Sequence, residues 1–398
     1  MVSRHSMAGN LKKTLDADII ICGAGLAGLS LAYLAIQRGV WNKTNIIILD
    51  QSFHKENDKT WSFWKKEPGP FDHLIRKSWS QLYVVANDGS EITLDAGPYT
   101  YNTIRSIDFY EFVLSYLAKQ ANVQMIECLL ESVTATELGC KVETVDYSIT
   151  GKYVFNSIYE EPLDLRGSQY FLQHFKGVTI KSPEISMNED SCLLMDYRTE
   201  QEHGTTFFYA LPFGIDELFI EYTLFSKHLL PKQHYDHKIE TYIKEVLKLS
   251  DYQIVHTEFG IIPMTDFQFQ RRTGNVINIG TVGGDTRGAS GYTFTNVQKT
   301  ITSIIENWSR NEKPWPIAEP VNAKHRIFDS ILLNVLDQNT YPGYEIFEDL
   351  FKYAKASTIF RFLDGETTVP EDLKIILSLK PLPFVKGLAS MVKNRIRL

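Results

Sequence analysis

The sequence predicts an α/β protein: a Rossmann-like nucleotide-binding domain, an inserted mixed β-sheet domain and a helical C-terminal region. Three observations carry this reading. A glycine-rich turn, Gly23-Ala24-Gly25-Leu26-Ala27-Gly28, joins an apolar strand to a helical stretch. From Gln169 to about residue 265 the chain is rich in strand patterns, and from about Ala323 it is largely helical.

The run Asp18-Ile19-Ile20-Ile21-Cys22 reads as a buried parallel strand, and Leu26 to Gln37 as the helix after it. Gly23 allows the tight turn, Gly25 lets a pyrophosphate approach the backbone, and Gly28 lets helix and strand pack closely. Phosphates would meet the helix N-terminus, where free N–H groups and the helix dipole favour anions. A second apolar strand, Ile46-Ile47-Ile48-Leu49, ends in Asp50. That acid lies about 20 residues beyond Gly28, the position from which a carboxylate bonds a ribose hydroxyl. Strand, turn, helix, strand and acid in that order point to a bound dinucleotide rather than an empty turn.

Leu82 to Ala86 and Glu91 to Leu94 flank Asn87-Asp88-Gly89, a hairpin signal. Residues 107–120 have helical periodicity, and short strands are expected at 123–127, 131–137, 139–146 and 151–158. Longer strands follow at 169–181, 192–199, 205–211 and 217–225, then a helix across 236–249 and a strand across 252–262. The apolar strand 275–281, a glycine-rich loop and a helix over 294–310 return the chain to the first domain. The expected division is a discontinuous nucleotide domain (16–168 and 266–322), a substrate-binding sheet domain (169–265) and a helical region (323–398).

The chain has 398 residues, is 43% hydrophobic and carries a net charge of -7, which supports a full core and argues against a general nucleic-acid binder. Cys22, Cys128, Cys140 and Cys192 form no CxxC pair and read as isolated thiols of a reducing compartment. No apolar stretch is long enough to span a bilayer, and Met1 to Leu15 lacks the apolar core of a secretory signal. The expected location is the cytoplasm or the cytoplasmic face of a membrane. Beyond Asp372 no acid occurs, while Lys374, Lys380, Lys386, Lys393, Arg395 and Arg397 alternate with apolar residues. Two readings stand: a basic, apolar surface for an anionic membrane, or a helix docked on the core with solvated lysines.

Glu221 is the most conspicuous carboxylate. It lies in Leu218-Phe219-Ile220-Glu221-Tyr222-Thr223-Leu224-Phe225, a strand apolar on both faces. Such an acid is desolvated, which holds it protonated and ready to donate. The alternative is a structural carboxylate paired with a base such as Arg198. Asp196 and Arg198 share one face of an extended segment and are candidates for the site or for pairing with each other. Glu258, before Phe259-Gly260-Ile261-Ile262-Pro263, is a third acid in apolar surroundings. Trp61, Phe63 and Trp64 form the densest aromatic cluster; the rings could line an apolar pocket and stabilise a cation, or pack as core. His234 and His237 have helical metal-ligand spacing, but nothing completes a site, so no metal is expected.

Taken as an ordered set, these segments resemble the bacterial lycopene β-cyclases, flavoproteins related to the plant lycopene cyclases. The resemblance runs from Asp18 to about Val385. It rests on the glycine turn; Asp58 to Trp64; Gln173-His174-Phe175-Lys176-Gly177; Met195-Asp196-Tyr197-Arg198; Phe219 to Thr223; Glu258 to Pro263; Gly283-Gly284 through Gly291-Tyr292; and Phe360-Arg361-Phe362-Leu363. It implies a FAD-binding domain of the glutathione-reductase/hydroxylase type. It also implies reduced FAD as cofactor, NADPH as external reductant, and conversion of lycopene to β-carotene via γ-carotene without net oxidation. The plant motif resembling Phe-Leu-Glu-Glu-Thr falls on Phe219 to Thr223, which carries the acid's role to Glu221, with Asp196 and Glu258 as further catalytic candidates. Ile220 and Tyr222 depart from the plant form.

By the same resemblance Gly283, Gly284, Gly291 and Tyr292 lie near the flavin, and Trp61, Phe63, Trp64 and Arg198 near the substrate. Related flavoproteins carry Gly-Asp in the second cofactor motif; here Thr281 follows Gly280, so no ribose-binding acid is assigned there. A bilayer-resident hydrocarbon substrate implies peripheral contact with the inner membrane face, and other enzymes acting on carotenoids are candidate partners. The alternative activity is a flavin monooxygenase or reductase acting on an apolar isoprenoid.

Overall fold

The computed structural model describes residues 12–160 and 164–396. Its first sheet has a parallel core in the order Val276–Asn278, Tyr147–Asn156, Lys13–Cys22, Ile46–Asp50, Val123–Glu127. The isoleucine runs of the two central strands are fully or almost fully buried, as a parallel sheet covered on both faces requires. Leu26–Gln37 packs against it with Ser106–Leu117 and Phe294–Asn311. That first helix is buried from Ala27 to Ile36, which suits its nearly uncharged sequence. Leu130–Ala135 and Cys140–Thr144 add an antiparallel flank.

The second sheet has seven strands in the order Gln253–Thr265, Tyr170–Lys181, Glu217–Ser226, Thr205–Pro212, Ser191–Asp196, Gln81–Val85, Glu91–Leu94. Alternation sorts its two faces. Phe208, Ile220, Tyr222 and Leu224 pack under the helix Lys232–Thr241 and the π-turn Tyr242–Val246. Phe207, Tyr209, Leu211 and Phe219 point the other way, toward the molecule's interior. A small third sheet, Thr60–Lys65 with Thr100–Arg105 and Lys77–Trp79, closes one side.

The expected division is corrected at one point. The hairpin 81–94, placed in the nucleotide domain by sequence order, pairs in parallel with Ser191–Asp196 and forms the edge of the second sheet. The second sheet is therefore not a simple insertion of 169–265. A hairpin is recognisable from its turn, but its lateral partner is a long-range contact with no local signal.

The C-terminal region is helical, as expected: Ala323–Gln338, Gly343–Tyr353, Ala356–Leu363, Val369–Leu377 and Pro381–Ile396. The last helix crosses the first of these closely at Gly387, where an added Cβ would lie 2.7 Å from Val335 Cγ2 and 2.9 Å from Ile331 O. Its buried side is small, Gly387 and Met391, while Leu382, Val385, Leu388, Val392 and Ile396 are exposed along one face. Val369, Leu373, Ile376 and Leu377 on the preceding helix are exposed as well. Among the described residues no single helix is long and apolar enough to cross a membrane, although these two, bent by 116°, have the composition together. Arg397, the last basic residue of this end, lies outside the described residues.

Candidate active site

The inner face of the second sheet and the glycine turn of the first enclose one cavity of about 650 Å³. Its size falls within the range of small-molecule sites. Gly25, Leu26, Ala27 and Ser157 form part of one wall, with Gly280, Thr281, Gly291 and Tyr292 beside them. The opposite wall is built from Tyr209, Phe219, Glu221, Phe175 and Glu258. The dinucleotide signature and two of the three candidate acids thus share one space.

The two acids are placed by strand register. Glu221 lies opposite Tyr209 on one side and Gly177 on the other, and Gly177 lies opposite Glu258. Tyr209, Glu221, Gly177 and Glu258 therefore form a row across four adjacent strands. Glu221 is buried, and its carboxyl accepts the Thr223 hydroxyl at 2.7 Å. Burial, reinforced by the negative charge of Glu258 and opposed by the Thr223 bond, pushes its pKa up to about 8. Glu258 is equally buried but differently served: Thr60 donates to it through its backbone N–H at 3.1 Å and its hydroxyl at 2.7 Å. His256 Nε2 lies 3.6 Å from the same carboxylate.

The glycine wall fits an extended anionic ligand. Gly25 caps the helix Leu26–Gln37 with no side-chain cap bond, and a Cβ added there would meet nothing within 4 Å. The first-turn N–H groups therefore open toward the cavity. Gly23 has φ +102, and an added Cβ at Gly28 would lie 2.0 Å from Gly23 O, so both glycines are required by the turn. Asp50 fixes the same turn, accepting Ala24 N–H at 2.5 Å, and pairs with Lys55 at 3.1 Å. On the far side, Gln173 Oε1 and Ser290 Oγ are buried, line the cavity and have no hydrogen-bond partner among the described residues. Gly291, at φ +70, leaves room for that amide: an added Cβ would lie 2.0 Å from Gln173 Oε1. Asp285 is buried behind this wall, where it accepts Gly280 N–H and the Thr300 hydroxyl, each at 2.7 Å, and pairs with Arg271. It holds the loop in place without lining the cavity.

A family profile described as lycopene cyclase protein matches residues 18–389. The chain belongs to the lycopene cyclase family. Membership makes it an enzyme acting on carotenoids. No curated protein sequence matches the chain. Among solved structures, a geranylgeranyl bacteriochlorophyll reductase-like protein from Thermoplasma acidophilum is similar at 12% identity and TM-score 0.63, covering 95% of this chain and all of that one. A flavoprotein/dehydrogenase from Cytophaga hutchinsonii gives 10% identity and TM-score 0.56, with 96% and 100% covered. A variant of halogenase PltM in complex with FAD gives 11% and 0.52, with 87% and 79% covered. The fold is that of these flavoprotein structures.

Several residues expected at the cyclase site lie elsewhere. Asp196 and Arg198 do not line the cavity. Asp196 pairs with Phe208 in register, which puts it on the helix-covered face, where it accepts Arg198 Nη2 and Tyr242 OH at 2.6 Å each. Arg198 is thus committed to Asp196 and does not pair with Glu221. Of the aromatic cluster, Trp61 lines the cavity. Phe63 stacks on Phe294 at 4.3 Å, and Trp64 is sandwiched between Phe360 and Tyr292. Those two line smaller adjoining pockets. Gly283 and Gly284 line a neighbouring pocket of about 250 Å³ rather than the shared cavity. Gln173, Gly177, Thr60, Tyr209 and Ser290 were not singled out as site residues. An isolated glycine inside the strand Tyr170–Lys181 was the one local signal of a close approach.

Proposed function

We propose that this family member is a flavin-dependent lycopene β-cyclase, an intramolecular lyase that converts lycopene to β-carotene via γ-carotene. The observation that carries the reading is a neutral, buried carboxyl, Glu221, facing the same cavity as the dinucleotide-binding glycines. Ring closure needs a proton delivered to an alkene where water cannot trap the resulting cation. Desolvation both keeps Glu221 protonated and excludes that water. Glu221 protonates the terminal double bond; the neighbouring double bond closes a six-membered ring on the tertiary cation; loss of a proton sets the β double bond. Trp61, Tyr209 and Phe219 present ring surfaces around this space, which suits a cation and a hydrocarbon.

The unpartnered Gln173 and Ser290 oxygens and the open Gly25 cap fit FAD. Bound in its reduced form, with NADPH as external reductant, FAD would supply negative charge beside the cation. Gly23, Gly25 and Gly28 would take its pyrophosphate, Asp50 would approach its ribose, and Gly280, Thr281, Gly291 and Tyr292 would border its ring system.

Substrate resident in a bilayer calls for a docking face, and the exposed apolar residues of Val369–Leu377 and Pro381–Ile396 supply one, with Lys374, Lys386, Lys393 and Arg395 for anionic headgroups. The proposed location is peripheral, on the cytoplasmic face. The deciding experiment is anaerobic incubation with lycopene, FAD and NADPH, with products separated by chromatography. Wild type forms rings, and Glu221→Gln lowers the rate by about 10²–10⁴-fold, the usual worth of a positioned acid. Oxygen-dependent product in step with NADPH consumption would instead favour a flavin monooxygenase.

A further inference from the structure

Glu221 and Glu258 face each other across a residue that has no side chain. Their backbones are two strand spacings apart, about 10 Å, with Gly177 between them in register. A Cβ at Gly177 would come within 2.7 Å of the Phe219 ring and 2.9 Å of Glu258 Cγ, so only glycine lets these side chains close over the strand between the two acids, which both line the one cavity. The two carboxyls lining it have different partners. Glu221 has one hydroxyl donor and is otherwise desolvated, and it holds the proton to be given. Glu258 receives two donors from Thr60, one on each oxygen, which fix its position. It is the second carboxyl at the same cavity and the one within reach of the proton that is lost.

We infer that ring closure is divided between two carboxyl groups of one cavity: Glu221 delivers the proton, and Glu258, positioned by Thr60 two strands away, removes the one that is lost. This rests on the cyclase reading and extends it. The balance is simple. The O–H bond of Glu221 breaks and a C–H bond forms at the inner, less substituted carbon of the terminal double bond, leaving a tertiary cation on its dimethyl carbon. The electron pair of the next double bond forms the ring bond and leaves a cation on the adjacent ring carbon. A C–H bond beside that cation then breaks, its electrons become the new double bond, and its proton goes to Glu258. No electron is gained or lost overall, and between turnovers Glu258 gives its proton to solvent while Glu221 takes a fresh one from it. The position of the base selects which neighbouring C–H is broken. Glu258 thereby becomes the residue that sets the β double bond against its isomers.

The charged and titratable groups lining the cavity with Glu258 are Lys59, Tyr101, Tyr110, Tyr159, Tyr209, Glu221 and Tyr292, and His256 on its own strand lies 3.6 Å from its carboxylate. The test compares wild type, Glu258→Gln and Thr60→Val, anaerobically with lycopene and reduced FAD, by rate against pH and by ring-isomer composition. Glu258→Gln should lose at least about 10²-fold in β-ring formation, with the residual product shifted toward other ring isomers or an alcohol. Thr60→Val removes the hydroxyl donor that positions Glu258 and leaves the carboxyl in place, so its rings should shift toward other isomers while its alkaline limb, set by Glu221, stays. A merely structural threonine would not change which isomer forms, so that shift decides the matter even if Glu258→Gln fails to fold. Unchanged rate and isomer composition in Glu258→Gln, or unchanged isomer composition in Thr60→Val, would overturn the division while leaving the cyclase reading intact. Absence of rings with wild type would overturn the cyclase reading itself.

Discussion

At Glu221 the demands of chemistry and of stability oppose each other. An unfolded glutamate ionises near 4.5, whereas the buried one holds its proton up to about 8. Between those values the native state binds the proton that the unfolded state releases, so stability falls as pH rises through that window. The loss amounts to up to about 5 kcal/mol at the alkaline end. Glu221→Gln should therefore be more stable than wild type at pH 8 by thermal unfolding, with the gap closing toward pH 4.5. A constant difference across that range would count against a neutral buried Glu221. Activity should fall as pH rises through about 8, when the acid loses its proton.

The suspicion about this residue was legible locally, because an acid among Phe, Ile, Tyr and Leu on both faces of a strand has nowhere solvated to point. Glu258 was only half legible. Its Thr60 partner lies on another sheet, and no local pattern joins the two. Asp196 was misplaced for the same reason. Alternation says that Asp196 and Arg198 share a face, but which face meets the cavity depends on the register with Phe208.

Single elements were readable wherever a short-range rule governs them. Leu26–Gln37 ends where the apolar pattern ends, and the hairpin at Asn87-Asp88-Gly89 forms as its turn residues dictate. The strand at 275–281 is shorter than expected, Val276–Asn278, because Gly280 takes φ +67 and turns the chain into the loop that borders the cavity. The last two helices left two readings open: the last one docks on Ala323–Gln338 at Gly387, and its outer face stays exposed as the proposed membrane contact requires. Leu382, Val385, Leu388, Val392 and Ile396 recur every three or four residues, an unpartnered stripe on one helix face. Replacing Leu382 and Val385 by Glu should release the protein from anionic vesicles in a flotation assay without lowering its melting temperature. Retained binding would place the membrane contact elsewhere.

The whole molecule brings two sheets of different character against one cavity. The parallel sheet contributes backbone: the glycine turn and a helix N-terminus suited to an anion. The mixed sheet contributes side chains: a row of tyrosine, glutamate, glycine and glutamate set by the register of its antiparallel strands. Under the proposed function, a fold shared with flavoprotein structures would carry acid chemistry that needs no net oxidation, and a bound flavin would leave each turnover unchanged. The central claim is that a proton, not an electron pair, is what the protein delivers to its substrate. The most direct test is anaerobic turnover of lycopene in deuterium oxide with reduced FAD, followed by mass analysis of the product. The account predicts one deuterium in each ring formed; rings carrying no deuterium, or no ring at all, would contradict it.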